Sequence, residues 1–329
     1  FEIYRYLNTT NVSCIEASKD SGFASKDGIL YSENMKQLIL CPANKTGDVI
    51  ILEGVTCIND FAFYGARIDS VTFPSSLKNI RKDAFRQSKI SKIDFGSGIE
   101  KIGNNASNIF ADCQNLTHVE FPPQVTDIGH SAFLNCRSLK SVTMHEGIST
   151  IGRRAFDLCE KLKSVTLPKS IKYAGELSFS CIQELHTPHL FSGLPYAFLS
   201  DISVSPVKKL IVGDNEFIVP AFLSYKTLYT LNQQCSNGHF CKSDLHDLYQ
   251  GAINTEIKQD TAYHIYKQNP GADAELEKYL KRCAKQIALR YIKEDNDAEL
   301  SEFIGFKLLS KAAIKQLLQA ANEADKPSI

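Results

Sequence analysis

The sequence lacks the features that mark several large classes of protein. Lysine plus arginine and aspartate plus glutamate number 37 each, so the formal net charge is zero. A neutral chain offers no overall field that would attract nucleic acid or an anionic membrane surface. No apolar run approaches the roughly 18 residues that a membrane-spanning helix needs. We therefore predict neither nucleic-acid binding nor membrane insertion.

Signatures of catalysis are also missing. The sequence contains no G-x-S-x-G turn, no P-loop and no G-x-G-x-x-G after a strand, and its carboxylates are scattered rather than paired at one place. We predict a non-enzymatic protein without catalytic residues, metal ligands or cofactors. The chain begins at Phe1 with no signal-like segment, which we interpret as an excised or processed piece.

What the sequence does contain is a regular series of phenylalanines. They recur at steps of 22, 25, 23, 23 and 23 residues: Phe63, Phe85, Phe110, Phe133, Phe156 and Phe179. Five of the six follow alanine or serine. A fixed period of 20–50 residues indicates a solenoid or array rather than a globular fold.

Each repeat joins a short alternating segment to a glycine turn. Leu139, Val142 and Met144 have the spacing of a strand with one inward face, and residues 128–136 read I-G-x-x-A-F-x-x-C. The same pattern returns in the next unit. Because one unit cannot bury its own apolar face, neighbouring units must stack. We expect a ladder of parallel strands at a spacing of about 4.8 Å.

This block resembles the BspA-like class of leucine-rich repeats over residues 54–188. The resemblance implies a bacterial or protist surface protein, often adhesin-like. Residues 28–42 look like the hairpin lead-in of such arrays. An insertion around 104–108 and an altered sixth repeat at 174–179 depart from the pattern, and an eroded further unit is predicted over 196–212.

The period vanishes after about residue 213, where the sequence becomes helical. After Pro220 the apolar-rich stretch 216–231 favours a helix. One helical face is predicted after Asp273, formed by Leu276, Leu280, Cys283, Ile287 and Tyr291. Further helices are predicted at 298–306 and at 311–321, the latter with Ser310 as N-cap. These short pairs resemble a degenerate ankyrin-like array.

The predicted fold class is an α+β repeat protein, with a parallel β-solenoid leucine-rich repeat array followed by an all-α helical-hairpin region. The predicted domains are an N-terminal cap and lead-in hairpin at 1–48, the solenoid at 49–212 and the helical region at 213–329.

Ten cysteines raise the question of disulfides. Cys113, Cys136 and Cys159 occupy one repeat position at steps of 23 residues, which favours small, buried, reduced thiols. A bridge between neighbouring coils stays open, since stacking brings equivalent positions to about 5 Å.

Cys235, His239, Cys241 and His246 form a second group of interest within twelve residues. Their spacing matches no common zinc framework, so we interpret them as a polar loop, with zinc or a Cys235–Cys241 disulfide as alternatives. A DNA-reading helix pair is disfavoured because residues 311–321 carry only two basic side chains.

Within the strand segments, alternate side chains must point outward and form two columns. They mix charged residues, histidine, serine and threonine, which suits a binding face but also an ordinary solvated sheet. We predict a partner-binding face on these columns: Lys92, Asp94, His118, Glu120, Thr143 and Thr166.

We expect the partner of this face to be a protein or a glycan. The resulting function is a non-enzymatic protein-interaction or adhesin-like module at the cell surface or outside the cell. The alternative is a cytoplasmic scaffold with leucine-rich and ankyrin-like repeats, for which the unpaired cysteines and the helical tail argue.

Overall fold

The computed structural model describes residues 12–103, 108–200, 205–237 and 247–323. Within them, two compact units are distinguished. The first contains 12–103, 108–200, 205, 209–216 and 225–237, and the second contains 206–208, 217–224 and 247–323. The domain limits at 48 and 212 stay predictions.

The first unit begins with antiparallel strands. These are β1 (Phe23–Lys26), β2 (Ile29–Ser32) and β3 (Gln37–Leu40). β2 pairs antiparallel with both β1 and β3, so the predicted lead-in hairpin is present. β3 then pairs in parallel with the first short strand of the array, which connects the hairpin to the solenoid.

The array itself is a parallel β-solenoid, as predicted, in which each of the first six coils contributes one longer and one shorter strand and the last two contribute a longer strand alone. The longer strands are β4 (Asp48–Ile50), β6 (Ser70–Thr72), β8 (Lys92–Asp94), β10 (His118–Glu120), β12 (Ser141–Thr143), β14 (Ser164–Thr166), β16 (Glu184–Thr187) and β17 (Val207–Val212). The shorter strands are β5 (Cys57–Ile58), β7 (Asn79–Ile80), β9 (Lys101–Ile102), β11 (Asp127–Ile128), β13 (Thr150–Ile151) and β15 (Tyr173–Ala174). Strand β18 (Asn215–Pro220) follows β17.

The repeated phenylalanines form a continuous stack inside the solenoid. Phe133 lies between Phe110 and Phe156, with ring centroids 5.2 and 5.5 Å away and ring planes nearly parallel. All six side chains are fully buried. Identical residues therefore meet identical residues in consecutive coils, which explains why the period is so strict.

The eroded seventh unit is also present. The backbone N–H of Phe179 donates to Ala197 O at 3.0 Å, just as Phe133 N–H donates to Ala155 O at 2.8 Å. Phe198, the last residue of helix α1 (Leu194–Phe198), is fully buried. Strand β17 continues the ladder, because Leu185 pairs with Leu210 in parallel register.

The glycines of the I-G turns do not serve to allow a left-handed backbone conformation, which a tight turn often requires. At Gly152 a Cβ atom would lie 2.6 Å from the backbone of Gly129 and His130, and at Gly129 it would lie 2.6 Å from Ile102 O. Neither glycine has a positive φ. These positions require glycine because successive coils approach each other closely there.

Beyond the array, the first unit includes helix α2 (Tyr225–Asn237), which begins five residues after Pro220. Residues 215–220, up to and including the proline, form strand β18.

The second unit contains most of the helices. They are a 3₁₀ helix (Asp247–Gly251), α3 (Thr255–Gln268), α4 (Ala274–Lys293), α5 (Asp297–Gly305) and α6 (Lys311–Glu323). Helix α4 contacts α3, α5 and α6. The five residues of its predicted apolar face are all buried. Ser310 Oγ accepts from Ala313 N–H at 3.2 Å, which confirms the predicted cap. Helix α3 was not predicted, and the ankyrin likeness stays a prediction.

Candidate functional site

The two outward columns exist as the strand period predicts. Ser70 pairs with Lys92 and Thr72 with Asp94, while His118 pairs with Ser141 and Glu120 with Thr143. The residues of the predicted face are all exposed: Lys92, Asp94, His118, Glu120, Thr143 and Thr166. Their partner-binding role stays a prediction.

The ladder of longer strands is interrupted between β8 and β10. Strands β4, β6 and β8 form one sheet, and β10 pairs with β12 in another. The interruption falls in the coil with extra residues, since 26 residues separate Lys92 from His118 and 23 separate His118 from Ser141. Residues 104–107 of the predicted insertion lie outside the described residues. A further interruption separates β12 from β14.

A surface depression of about 320 Å³ lies at the first interruption. Its lining residues come from β8, from the end of β10 and from the segments that follow β8, β10 and β12: Lys92, Ile93, Asp94, Phe95, Gly96, Glu120, Pro122, Pro123 and His145. Gln124 connects the two sides of the interruption, because its Nε2 donates to Gly96 O at 3.0 Å. The predicted residues Lys92, Asp94 and Glu120 are therefore brought together around one cavity.

His145 completes this cluster and was missed in the sequence. Its Nε2 lies 3.5 Å from Glu120 Oε1, with the His145 side chain 40% exposed. His145 lies two residues after Thr143, beyond the end of β12, and the predicted columns stopped at the strand residues. His118, which was predicted, does not line the depression, and its Nδ1 lies 2.9 Å from Thr117 Oγ1.

The carboxylates of the depression differ from those of neighbouring coils. Elsewhere, cross-coil ion pairs join Asp112 to Arg86 at 3.0 Å, Asp127 to Lys101 at 3.3 Å and Glu176 to Arg153 at 3.0 Å. Among the described residues, neither Asp94 nor Glu120 has a lysine or arginine within ion-pair distance. Asp94 Oδ1 instead accepts from Gly96 N–H at 3.0 Å. Both carboxylates are thus available to a ligand.

At the C-terminal end of the columns, charged side chains pair with one another. Glu184 Oε1 lies 2.5 Å from His186 Nε2, and Lys209 Nζ contacts Glu216 at 2.9 Å. The hydrogen bond to Glu216 raises the pKa of the Lys209 ammonium. Because these groups already have partners, the C-terminal end of the face offers fewer free charges than the depression does.

The repeated cysteines are structural. Cys113, Cys136 and Cys159 are buried and unpaired, which confirms the prediction of reduced thiols. Cys136 Sγ donates to Phe110 O at 3.1 Å and Cys159 Sγ to Phe133 O at 3.2 Å. Burial raises the pKa of Cys113 to about 12 and that of Cys136 well above its ordinary value. A thiol that stays protonated and inaccessible is a poor nucleophile or metal ligand.

The zinc alternative concerns residues that the structure describes only in part. Cys235 is buried near the end of α2, whereas His239, Cys241 and His246 lie outside the described residues. Within the described part of the chain, no group of three or more histidine, cysteine or acidic side chains could hold a metal ion. None of the helices found there is long and apolar enough to cross a bilayer.

Comparison with protein families identifies the repeat. Residues 43–106 and 105–200 match the family described as "BspA type Leucine rich repeat region", in six copies. The matched range includes every residue of the predicted binding face. No curated protein matches the chain.

Several solved structures resemble the chain over part of its length. A leucine-rich cell surface protein from Faecalibacterium prausnitzii is 26% identical, with a TM-score of 0.43, over 46% of this chain and 40% of that one. A leucine-rich repeat protein from Bacteroides ovatus is 22% identical, with a TM-score of 0.35, over 46% and 43%. The pneumococcal vaccine antigen PcpA is 18% identical, with a TM-score of 0.43, over 61% and 50%. The chain thus spans half or less of the length of these three proteins.

Proposed function

We propose, from the premise that residues 43–200 form a BspA-type leucine-rich repeat region, that this protein is a non-enzymatic, adhesin-like interaction module. The array supplies a regular exposed face that a partner can contact over several coils. The single observation that carries the proposal is the depression on that face, where Lys92 forms no ion pair and Asp94 and Glu120 pair with no lysine or arginine among the described residues. Thr143 and Thr166 extend the proposed face toward the C-terminus.

The absence of catalysis is part of this proposal. The buried thiols of the array have raised pKa values, and the charged residues of the exposed face lie on strands open to solvent. Enclosed sites with perturbed titrating groups, which are typical of enzymes, were not found among the described residues of the array face.

The proposed location is the cell surface or the extracellular space. The Faecalibacterium protein is described as a cell surface protein, and we extend that location to this chain as a proposal. Antibodies against the chain should label intact cells of the source organism. Labelling only after permeabilisation would contradict the surface location.

A cytoplasmic scaffold is the second candidate, and one observation favours it. None of the nine cysteines among the described residues forms a disulfide, and one of them, Cys14, is exposed. Unpaired cysteines are typical of reducing compartments. The same labelling experiment separates the two candidates.

The role of the face is tested by replacing Lys92, Asp94, His118 and Glu120 together by serine. Melting temperature should change little, because exposed substitutions usually alter the free energy of unfolding by less than about 0.5 kcal/mol each. Serine at position 94 can still accept a local hydrogen bond from the Gly96 N–H. Capture of a partner by the immobilised protein should be strongly reduced, since exposed charges steer and orient partners.

A matched control replaces Arg137, Arg153, Glu160 and Glu176 by serine. These residues are also exposed, and they form the surface pairs Arg137–Glu160 and Arg153–Glu176. Such pairs contribute about 0–1 kcal/mol each, so the control should keep both fold and capture. Lost stability with intact capture in the first variant would move the binding site elsewhere on the chain.

A further inference from the structure

The depression between β8 and β10 has a floor and a rim of different chemistry. Ile93, Phe95, Pro122 and Pro123 supply apolar surface, whereas Lys92, Asp94, Glu120 and His145 carry the charged or titratable groups. A volume of about 320 Å³ lies at the lower end of the range of small-ligand sites, which is about 300–1,000 Å³. A cavity of this size suits one side chain rather than a folded segment.

The charges of the rim favour a cation. Two carboxylates, those of Asp94 and Glu120, face the single ammonium of Lys92 at the rim, beside the imidazole of His145. At other repeat positions of the array, acidic groups pair with arginine or lysine of a neighbouring coil, as in the Arg86–Asp112 pair. Asp94 and Glu120 lack such a partner among the described residues. An incoming cation would complete the cross-coil pairing that the chain itself leaves open at this place.

We propose that this depression receives the guanidinium group of an arginine side chain from a protein partner. The inference rests on the proposed function, because it assigns a partner chemistry to the same face. The methylene stem of arginine would lie on Pro122 and Pro123, and its planar head would meet the carboxylates of Asp94 and Glu120.

Guanidinium fits this lining better than ammonium does. It is flat, delocalised and weakly hydrated, so it loses less on leaving water and can donate two parallel hydrogen bonds to a carboxylate. A compact ammonium lacks the flat surface that would pack on Pro122 and Pro123.

A glycan is disfavoured by the same lining. Among the described residues, no serine, threonine, asparagine or glutamine lines the depression, and Phe95 is only 2% exposed, so it offers no open aromatic face to a sugar ring. An anionic group is disfavoured because two carboxylates would repel it.

The test uses two short peptides that differ only in charge. Acetyl-Ala-Arg-Ala-amide and its citrulline counterpart have nearly the same shape, but citrulline is neutral. Each is titrated into the ¹⁵N-labelled full chain, and the amide signals of Ile93, Gly96 and Glu120 are followed. The arginine peptide should bind at least about tenfold more tightly, because a charge-assisted hydrogen bond contributes about 1.5–3 kcal/mol. Equal binding of these two peptides would overturn the proposal. Equal binding of a third peptide, with lysine in place of arginine, would overturn it as well.

Variants of the chain locate the site. Asp94→Asn combined with Glu120→Gln should weaken the arginine peptide at least about tenfold. Asp69→Asn combined with Glu100→Gln makes the same change of charge at two exposed acids outside the depression and should leave binding within about twofold. Unchanged binding in the first variant, or equal loss in both, would contradict the assignment.

His145→Lys gives a further check. A fixed positive charge beside Glu120 should compete with the guanidinium and weaken binding several-fold, because His145 Nε2 lies 3.5 Å from that carboxylate. Stronger binding in this variant would contradict a cationic ligand.

The two proposals fail differently. If the arginine peptide does not bind while the quadruple serine variant still loses its partner, the face is a binding site but the arginine assignment is wrong. If the quadruple variant captures its partner normally while Asp94 and Glu120 bind the peptide, the proposed function is wrong at this face.

Discussion

The array and the second, helical unit bury similar kinds of side chain but hold them in different ways. In the array, Phe110 N–H donates to Ala132 O and Phe133 N–H to Ala155 O, both at 2.8 Å, so one contact is repeated from coil to coil. In the helical unit each contact occurs once. Tyr263, for example, packs edge-on against Phe303 with ring centroids 4.8 Å apart.

Their buried polar groups differ in the same sense. The array uses repeated thiols that donate to backbone oxygens, whereas the helical unit buries an ion pair between Asp260 and Arg290. Burial raises the pKa of Asp260 even though Arg290 opposes the shift. Repetition makes the array tolerant of variation on its exposed face. The helical unit depends on particular pairs instead.

The largest expected effect tests the phenylalanine stack. Phe133→Ala should lower the free energy of unfolding by about 3–5 kcal/mol, because it removes a fully buried ring stacked on both sides. Urea denaturation followed by circular dichroism measures the change. Phe23→Ala, at a side chain that is 48% exposed, is the control and should cost far less. Similar losses in both variants would contradict a packed stack.

A pair of glycines sharpens the comparison between the units. Gly152→Ala should lower the free energy of unfolding by about 1–3 kcal/mol, since the new Cβ would press on the backbone of the previous coil. Gly305→Ala, at the end of α5 with no atom within 4 Å of the new Cβ, should be neutral or stabilising by up to about 1 kcal/mol. Thermal unfolding of both variants decides it. Equal effects would show that coil contact does not explain the glycine at 152.

Alkaline pH tests the buried thiols. Burial raises the pKa of Cys113 to about 12, above its value in the unfolded chain. The stabilisation from its neutral form is therefore complete below the unfolded pKa of about 8.5 and is lost as the pH rises toward 12. Cys113→Ala should make the fall in unfolding free energy between about pH 9.5 and 11 shallower by about 1.4 kcal/mol per pH unit.

The control for this measurement is Cys14→Ala, because Cys14 is exposed. Its pH dependence should match that of the unaltered chain. An unchanged slope in Cys113→Ala would mean that the thiol at 113 ionises as readily in the folded state as in the unfolded one.

The smallest expected effect concerns the N-cap of helix α4 in the helical unit. Asp273 Oδ1 accepts from Glu275 N–H at 2.9 Å and from Leu276 N–H at 3.0 Å. Asp273→Ala should cost about 1 kcal/mol, as chemical denaturation would show. Lys285→Ala, exposed on the same helix, should change stability by less than about 0.5 kcal/mol. A cap variant as stable as this control would contradict the role of Asp273.

The two regions were predictable to different degrees. In the array, a 23-residue period states which residues stack, so the strands, the buried phenylalanines and the thiols at 113, 136 and 159 followed from the sequence. In the helical unit, amphipathic spacing identified α4 and its buried face from Leu276 to Tyr291. Helix α3 has a weaker pattern, because polar residues such as Gln259 and Asp260 are buried on it. A pattern of apolar residues alone could not reveal it.

The candidate site shows the same limit. Lys92, Asp94 and Glu120 belong to the columns and were predicted from strand alternation. His145 lies beyond the end of β12, where the predicted columns stopped. Its side chain reaches Glu120 because consecutive coils stack. The depression itself depends on the interruption of the strand ladder between β8 and β10, which the residue types at that place do not reveal.

By itself, the sequence determined the repeat, the direction of its side chains and the BspA-type family pattern, because a stacked fold requires equivalent residues at equal steps. The tertiary structure decided what happens between those steps. Ser131 and Arg154, two residues before a stacked phenylalanine, and Asn135 and Leu158, two residues after one, all have positive φ values. Their side chains share no chemistry. The backbone takes this conformation because each coil must follow the one beneath it, and that constraint comes from packing rather than from local preference.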